Sequence, residues 1–204
     1  MSSRKGILYV ISAPSGAGKS TVCRELLDIF PLMRHSVSST TRAPRGEELD
    51  GREYHFISRE DFLAKVAVGE FAEWAEVHGN LYGTSLETIR KSLADGIDLI
   101  LDIDCQGAAQ LKKKGVDGVN IFIMPPSYEV LRTRLVGRGS DSSEVIERRL
   151  LAAEAEIGQA GWYDYIVVND ILESAVESLK SIVIAVRHRT NFVRETLAKE
   201  FNIG

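Results

Sequence analysis

Residues 7–21 read ILYVISAPSGAGKST, and this stretch decides the fold class of the chain. The unbroken apolar run 7–11 is typical of a strand buried on both faces of a parallel sheet. Small residues follow it, so backbone N–H groups can turn inward around an anion at the positive end of the next helix dipole. Lys19 adds a cation for the outer phosphates, and the Ser20 hydroxyl suits a Mg²⁺ ligand. The stretch therefore predicts a P-loop that binds a nucleoside triphosphate.

One position departs from the P-loop pattern, because Ala13 stands where the first glycine is expected. Alanine is the smallest substitute and fits wherever the backbone φ is negative. The alternative is a glycine-rich strand-to-helix turn with a solvated lysine, but it does not explain the spacing of the residues that follow. The predicted ATP-binding segment is Ala13, Pro14, Ser15, Gly16, Ala17, Gly18, Lys19, Ser20 and Thr21.

Length and composition indicate a globular protein with one domain, or one core that carries insertions. The chain has 204 residues, 44% of them hydrophobic and 26% charged, with a net charge of −4. This acidic balance argues against a nucleic-acid partner, and no apolar run approaches membrane-spanning length. No signal peptide precedes the first strand, and Cys23 and Cys105 lack metal-ligand spacing. We therefore expect a cytoplasmic protein with reduced thiols, no membrane contact and an oligomeric state left open, a homo-oligomer included.

Strand-like and helical segments alternate along most of the chain, which predicts an α/β fold with a doubly wound parallel sheet. Residues 37–90 break the alternation and indicate an inserted subdomain with short antiparallel strands over 47–58 and a helix over 59–68. The predicted strands of the core include 35–38, 99–104, 121–124 and 165–168, and one long helix, with Leu179 on its inner face, closes the chain. The predicted domains are a core of residues 1–36, 97–130 and 159–204, an insertion of 37–96, and a lid of 131–158.

Two carboxylates follow the apolar run 99–101. Asp102 stands where a strand-end carboxylate approaches Mg²⁺, directly or through water, although capping of the next turn is the alternative. Asp104 lies two residues further and would point to the same face of an extended strand. The carboxyl edge of such a sheet is where open α/β folds bind ligands. The predicted metal-binding residues are therefore Ser20 and Asp102.

Two further stretches carry groups suited to a nucleoside monophosphate. Arg42 and Arg45, with Tyr54, can hold a phosphomonoester, although an arginine-rich loop is often only solvated. Glu73, beside Trp74, is a candidate buried carboxylate. One carboxylate can accept from both N1–H and N2–H₂ of guanine, and adenine lacks that pair of donors.

Arginines are concentrated on a helical hairpin that is interrupted by glycines at residues 137–140. This pattern suits a lid that closes over a triphosphate. A surface helix with i,i+4 ion pairs remains the alternative for Arg132 and Arg148. The arginines of the hairpin are Arg132, Arg134, Arg138, Arg148 and Arg149.

Several segments occur in an order that matches one enzyme family. They are residues 12–20 (SAPSGAGKS), 36–45 (SVSSTTRAPR), 51–56 (GREYHF), 70–74 (EFAEW), 79–84 (GNLYGT), 101–107 (LDIDCQG), 134–139 (RLVGRG) and 168–170 (VND). With these segments the chain resembles guanylate kinases across nearly its whole length. The resemblance implies a P-loop NTPase core, an inserted GMP-binding subdomain of small mixed sheet plus helices, and a helical lid.

The resemblance also implies an activity and a set of site residues. The reaction would be Mg²⁺-dependent transfer of the γ-phosphoryl group of ATP to GMP, and to dGMP as well. Ser38, Glu73, Thr84 and Asp104 would surround the guanine, and Arg42, Arg45, Tyr54 and Tyr82 would hold the GMP phosphate. Lys19, Arg134, Arg138 and Arg149, together with Arg42, would act on the transferring group, and Asn169 would lie near the adenine of ATP.

Two rival functions stay open at the level of sequence. A guanylate-kinase-like binding module would use the same cleft for phosphopeptides, but such modules lose P-loop or lid residues that this chain keeps, among them Lys19 and Arg134. A P-loop kinase for another monophosphate is the second rival. Glu73 with Ser38 favours guanine over it, through the resemblance.

Overall fold

A parallel sheet of five strands forms the centre of the molecule in the computed structural model, which describes residues 4–77, 79–137, 142–198 and 201. Every neighbouring pair in this sheet is parallel, as the apolar strands predict. The strands, in spatial order, are β2 (Met33–His35), β7 (Asp98–Asp102), β1 (Leu8–Ser12), β8 (Val119–Met124) and β9 (Tyr165–Val168).

Helices cover both faces of this core sheet, so its central strands are buried on both sides. One face packs against α1 (Lys19–Ile29) and α7 (Leu172–Arg187). The other packs against α3 (Leu86–Ala94), α4 (Cys105–Lys113) and a short 3₁₀ turn over Ala160–Trp162. Alternate residues of β1 enter the two clusters, as expected for a strand in the middle of a doubly wound fold.

A second sheet of four short strands stands apart from the core sheet. Its strands, in spatial order, are β4 (His55–Phe56), β3 (Ser39–Thr40), β6 (Asn80–Ser85) and β5 (Phe71–Val77). The helix α2 (Arg59–Ala67) packs against it through Phe62, whose ring stacks on Phe71 with 4.3 Å between centroids. Ser58 caps this helix by accepting a hydrogen bond from the backbone N–H of Asp61.

Two helices, α5 (Tyr128–Val136) and α6 (Ser143–Ile157), pack on each other through a small apolar cluster that includes Leu131 and Leu135. The same two leucines lie against the P-loop, because a Cβ on Gly16 would come within 3.0 Å of each. Among the described residues no helix combines the length and the apolar character needed to cross a membrane.

The structure corrects several of the expected elements. The strand predicted over 35–38 is displaced, because β2 ends at His35 and it is the buried Met33 that enters the core. The strands expected to be antiparallel over 47–58 reduce to β4, which pairs with β3 in parallel register. The closing helix is followed by a further one, α8 (Thr190–Leu197).

Candidate functional site

The P-loop encloses a cavity at the carboxyl edge of the core sheet. Gly18 is the N-cap of α1 with a φ of 90°, and Gly16 has a φ of 97°, so both need the left-handed conformation that glycine allows. The cavity has a volume of about 370 Å³ and is lined by the P-loop together with Asp104 and Glu156. We call it the P-loop cavity. Its backbone N–H groups and helix dipole suit a phosphate chain.

Lys19 lines this cavity and is held by the last residue of β7 and by the residue after it. Its Nζ lies 2.6 Å from Asp102 Oδ1 and donates to the Ile103 carbonyl at 2.9 Å. Both side chains of the ion pair keep about a fifth of their surface exposed, with 20% for Lys19 and 22% for Asp102. The ammonium is therefore charge-paired and still reachable by a bound phosphate.

The expected arrangement of Asp102 and Asp104 on one strand face is wrong. The strand β7 ends at Asp102, and Asp104 is the N-cap of α4, where its carboxylate accepts from the Gly107 N–H at 2.8 Å. The chain turns out of the sheet at Ile103, so strand alternation no longer applies beyond it. Asp104 instead lines the P-loop cavity, which is where the structure places this predicted guanine-binding residue.

A second cavity of about 430 Å³ lies between the core sheet and the small sheet. Predicted monophosphate-binding residues line it, among them Ser38, Tyr54 and Thr84, and so does Asp102. Because Asp102 also pairs with Lys19, the Lys19–Asp102 ion pair stands where the two cavities approach each other. An acceptor in one cavity and a phosphate donor in the other would meet at this pair.

Glu73 occupies a buried position beside this second cavity. The pairing register of β5 on β6 shifts between Phe71 and Glu73, and such irregularities re-aim side chains. The Thr84 hydroxyl donates to Glu73 Oε1 at 2.6 Å, and Thr84 Oγ1 lies 3.2 Å from Ser38 Oγ. Because the single hydroxyl hydrogen of Thr84 goes to the carboxylate, Ser38 is the donor in the second contact. Burial raises the pKa of Glu73, and Thr84 partly opposes the rise.

The two predicted phosphate-binding arginines meet at a carboxylate that the sequence reasoning missed. Glu48 accepts from Arg42 Nη2 at 2.9 Å with each of its oxygens and from the Arg45 N–H at 2.8 Å. The Arg45 N–H and then the Arg42 guanidinium lower the pKa of Glu48. Arg42 also lies 5.4 Å from the ring centre of Tyr54, which is in edge contact with Tyr82 at 5.8 Å. Arg42 therefore joins the Glu48 carboxylate to the Tyr54–Tyr82 pair, and Arg45 reaches that carboxylate through its backbone N–H.

Only some of the residues that are predicted to bind the triphosphate lie close to the P-loop. The Asn169 amide donates to the Ala17 carbonyl at 2.8 Å, and this places Asn169 against the P-loop backbone. Arg134 donates to the carbonyls of Asn169 at 2.9 Å and Asp170 at 3.2 Å. Arg149 lies on α6, and Arg138 falls outside the described residues. Arg132 pairs on the surface with Glu147 of α6, so this ion pair joins two helices and is not the i,i+4 pair of the alternative.

Glu156 is a further acidic group of the P-loop cavity that the sequence reasoning did not identify. It belongs to the last turn of α6, far along the chain from the P-loop. Burial raises the pKa of its carboxyl and the nearby Asp104 adds to the rise, while Lys19 and the Ser15 N–H oppose it. No local pattern marks this residue, because its role depends on how α6 folds over the P-loop.

The donors around the P-loop match what a magnesium ion prefers. The Ser20 hydroxyl and the Asp102 carboxylate are oxygen ligands, and Mg²⁺ bound with nucleotides uses one or two carboxylates, phosphates and water. Within the described part of the chain, no group of three or more His, Cys, Asp and Glu side chains could hold a metal ion. The Ser20 hydroxyl and the Asp102 carboxylate therefore fit an ion that takes phosphate and water as its other ligands.

Comparison with known proteins identifies the family. The family model described as guanylate kinase matches residues 5–186. The chain belongs to the guanylate kinase family. A guanylate kinase from Geobacter metallireducens is 60% identical over 201 residues, covering 98% of this chain and 99% of the relative. Another from Geobacter sulfurreducens is 56% identical over 200 residues, covering 98% of each chain.

A crystal structure of guanylate kinase from Anaplasma phagocytophilum has the same fold. It is 36% identical, covers 98% of each chain and superposes with a TM-score of 0.73. The resemblance found in the sequence motifs and the predicted α/β fold class are thereby confirmed. Guanylate kinases are nucleoside monophosphate kinases, so this family membership identifies the chain as an enzyme rather than a phosphopeptide-binding module.

Proposed function

We propose that this protein transfers the γ-phosphoryl group of ATP to GMP, and also to dGMP, and that it needs Mg²⁺. The observation that carries the proposal is the position of the Lys19–Asp102 pair between the P-loop cavity and a second cavity that adjoins a buried carboxylate, Glu73. The names and close similarity of the curated relatives support the same pair of substrates.

ATP is the proposed occupant of the P-loop cavity. Its phosphates would accept from the backbone N–H groups before α1, and the Lys19 ammonium would neutralise charge on the transferring group. Asn169, which braces the P-loop through Ala17, lies on the side where we place the adenine. Arg134, Arg138, Arg149 and Arg42 are proposed to complete the positive charge around the transition state.

GMP is the proposed occupant of the second cavity. Glu73 would accept from N1–H and N2–H₂ of guanine, and Ser38 would donate to O6 after its hydroxyl turns away from Thr84. The GMP phosphate would take the position of the Glu48 carboxylate beside the two arginines. Its ligands would be Arg42, Arg45, Tyr54 and Tyr82. Asp104 reaches the purine only if the base extends toward the start of α4.

The chemistry on this reading needs no general base. A phosphate oxygen of GMP attacks the γ-phosphorus, the new P–O bond forms as the bond to the β-phosphate oxygen breaks, and ADP leaves. The attacking oxygen is already largely deprotonated at neutral pH, so the protein contributes alignment and charge neutralisation. Mg²⁺ on Ser20 and, through water, Asp102 would offset phosphate charge when bound.

The cellular setting follows from the same proposal. We place the enzyme in the cytoplasm, where ATP and GMP are available and thiols stay reduced. Cys23 and Cys105 are both buried free thiols, which fits that compartment.

A coupled ADP-release assay tests the proposed function. Purified protein with ATP and Mg²⁺ is given GMP, dGMP, AMP or UMP as the acceptor. We expect rapid ADP release with GMP and dGMP and release near the background rate of ATP hydrolysis with AMP and UMP. Equal or faster turnover of AMP or UMP would overturn the proposed acceptor.

A further inference from the structure

In the part of the chain that the structure describes, no strand pairs with the outer edge of β5 in the four-stranded sheet. An edge strand presents backbone N–H and C=O groups that need other partners. Here the helix α4, which belongs to the core, lies along that edge. The edge matters because β5 carries Glu73, the proposed reader of guanine.

Gln110 of α4 takes the place of a pairing strand at Trp74. Its Oε1 accepts from the Trp74 N–H at 3.1 Å, and its Nε2 donates to the Trp74 carbonyl at 2.8 Å. A side-chain amide carries a donor and an acceptor side by side, so it can satisfy both backbone groups of one residue. Trp74 is the residue directly after Glu73, and fixing its backbone limits where the Glu73 carboxylate can stand.

Two further contacts come from the same face of α4. Lys114, just past the helix, donates from Nζ to the Phe71 carbonyl at 2.6 Å. Gly107 lies so close to Glu73 that a Cβ there would be 3.1 Å from Oε2. Gly107, Gln110 and Lys114 are spaced i, i+3 and i+7, the spacing of one helix face. The helix therefore contacts the strand on both sides of Glu73 and at its carboxylate.

The other end of α4 reaches the phosphate side of the site. Asp102 and Ile103, which hold the Lys19 ammonium, are followed by the N-cap Asp104 and then by the first residue of the helix, Cys105. A single rigid element thus connects the group that holds Lys19 with the strand that carries Glu73.

We propose that Gln110 is a positioning residue for guanine selection, acting through the Trp74 backbone on Glu73. The inference rests on the proposed function, since it names how that same acceptor site is held. Gln110 lines neither of the two cavities. It sets the distance between the purine reader and the transferring phosphoryl group.

Gln110→Leu removes both hydrogen bonds and keeps a side chain of similar length. Both backbone groups of Trp74 lose their partner and Glu73 is held less firmly, so kcat/KM for GMP should fall roughly tenfold, which corresponds to about 1.4 kcal/mol. We expect this loss to appear as a higher KM for GMP, while the KM for ATP stays within about twofold of wild type. The ratio of kcat/KM for GMP to that for IMP should become smaller. A looser carboxylate discriminates less well against a base that lacks the N2 amino group.

Gln159→Leu is the matched control. The Gln159 side chain makes one long hydrogen bond, from Nε2 to the Ala155 carbonyl four residues earlier at 3.4 Å. Gln110→Glu is the second variant, since it keeps the side-chain volume and sets an oxygen against the Trp74 carbonyl. It carries the test if the leucine variant does not fold. Unchanged constants, or equal rises of the KM for GMP and for ATP, would overturn the inference. The proposed function is tested separately by the turnover of GMP by the wild-type protein, which does not depend on the role of Gln110.

Discussion

Lys19 is charge-paired with Asp102, and the pair holds the ammonium where the two cavities approach each other. Its charge is needed most when negative charge develops on the transferring phosphoryl group. Lys19→Met should therefore lower kcat by roughly 10²–10³ and change GMP affinity much less. Steady-state kinetics together with GMP binding by calorimetry check this. Turnover within a few-fold of wild type would contradict the P-loop assignment.

Arg42 already holds an anion, the Glu48 carboxylate, with both oxygens at 2.9 Å from one nitrogen. Arg42 Nη1 also donates to the Ala43 carbonyl at 2.7 Å, and a lysine, with its single nitrogen, cannot reproduce this forked arrangement. Because a hydrogen bond to a charged group contributes about 1.5–3 kcal/mol, Arg42→Lys should raise the KM for GMP by roughly 10–100-fold. Arg45→Lys should act in the same direction.

The comparison that checks these arginine variants is the KM for ATP measured on the same preparations. It should move far less than the KM for GMP. Equal rises in both constants would place the arginines outside the acceptor site.

At the scale of elements, the sequence predicted the core sheet well, because strands such as β1 are apolar on both faces and need no partner to be recognised. It failed where the backbone changes course. Strand alternation continued past Ile103 predicts Asp104 on a strand, but β7 ends at Asp102 and Asp104 caps α4. Glu156 and Gln110 were missed because their contacts join distant segments. Glu48 lies only three residues after Arg45, and that spacing could have pointed to it.

The helix α4 also allows a prediction at Gly107, whose missing side chain leaves room for the Glu73 carboxylate. Alanine stabilises a helix by roughly 0.5–1 kcal/mol relative to glycine. In Gly107→Ala this stabilisation opposes the destabilisation that the new methyl group causes by crowding the Glu73 carboxylate. An added methyl in a packed region costs about 1–3 kcal/mol, so kcat/KM for GMP should fall roughly tenfold.

Gly161→Ala is the control for this variant, since a Cβ there meets nothing within 4 Å. Kinetics and thermal unfolding of both variants check the prediction. A Gly107→Ala enzyme with wild-type kcat/KM for GMP would mean that the carboxylate is not confined by α4.

For the whole molecule, the buried Glu73 carboxyl links stability to pH. Burial raises its folded-state pKa above the ordinary value of 4.5, so the folded protein holds this proton more tightly than the unfolded chain. Protonated Glu73 therefore makes its full contribution to the free energy of unfolding below the ordinary pKa of 4.5. That contribution is lost as the pH rises through the pKa of the folded protein. Glu73→Gln should therefore gain stability relative to wild type as the pH rises from 4.5.

Thermal unfolding of wild type and Glu73→Gln without nucleotide, at pH 4.5 and pH 8, measures this effect. The difference in Tm should shift in favour of the glutamine variant at the higher pH. A shift in favour of wild type would mean that ionised Glu73 stabilises the empty protein.

The preference of the enzyme among purine monophosphates tests the proposed function most directly, because it requires the fold to place Glu73 against guanine. A site that hydrogen-bonds its substrate can reject an analogue lacking those groups by roughly 10⁴–10⁵. AMP would set the N1 lone pair against the carboxylate, whereas IMP keeps N1–H and O6 and lacks the N2 amino group. We expect kcat/KM in wild type to fall from GMP to IMP to AMP.

Glu73→Gln removes the charge and one acceptor, so GMP should be used less well and the gap between GMP and IMP should narrow. The measurement is kcat/KM for GMP, IMP and AMP in wild type and in Glu73→Gln, with ATP saturating. A variant with the wild-type order and spacing of the three values would contradict the assignment of Glu73 as the reader of guanine.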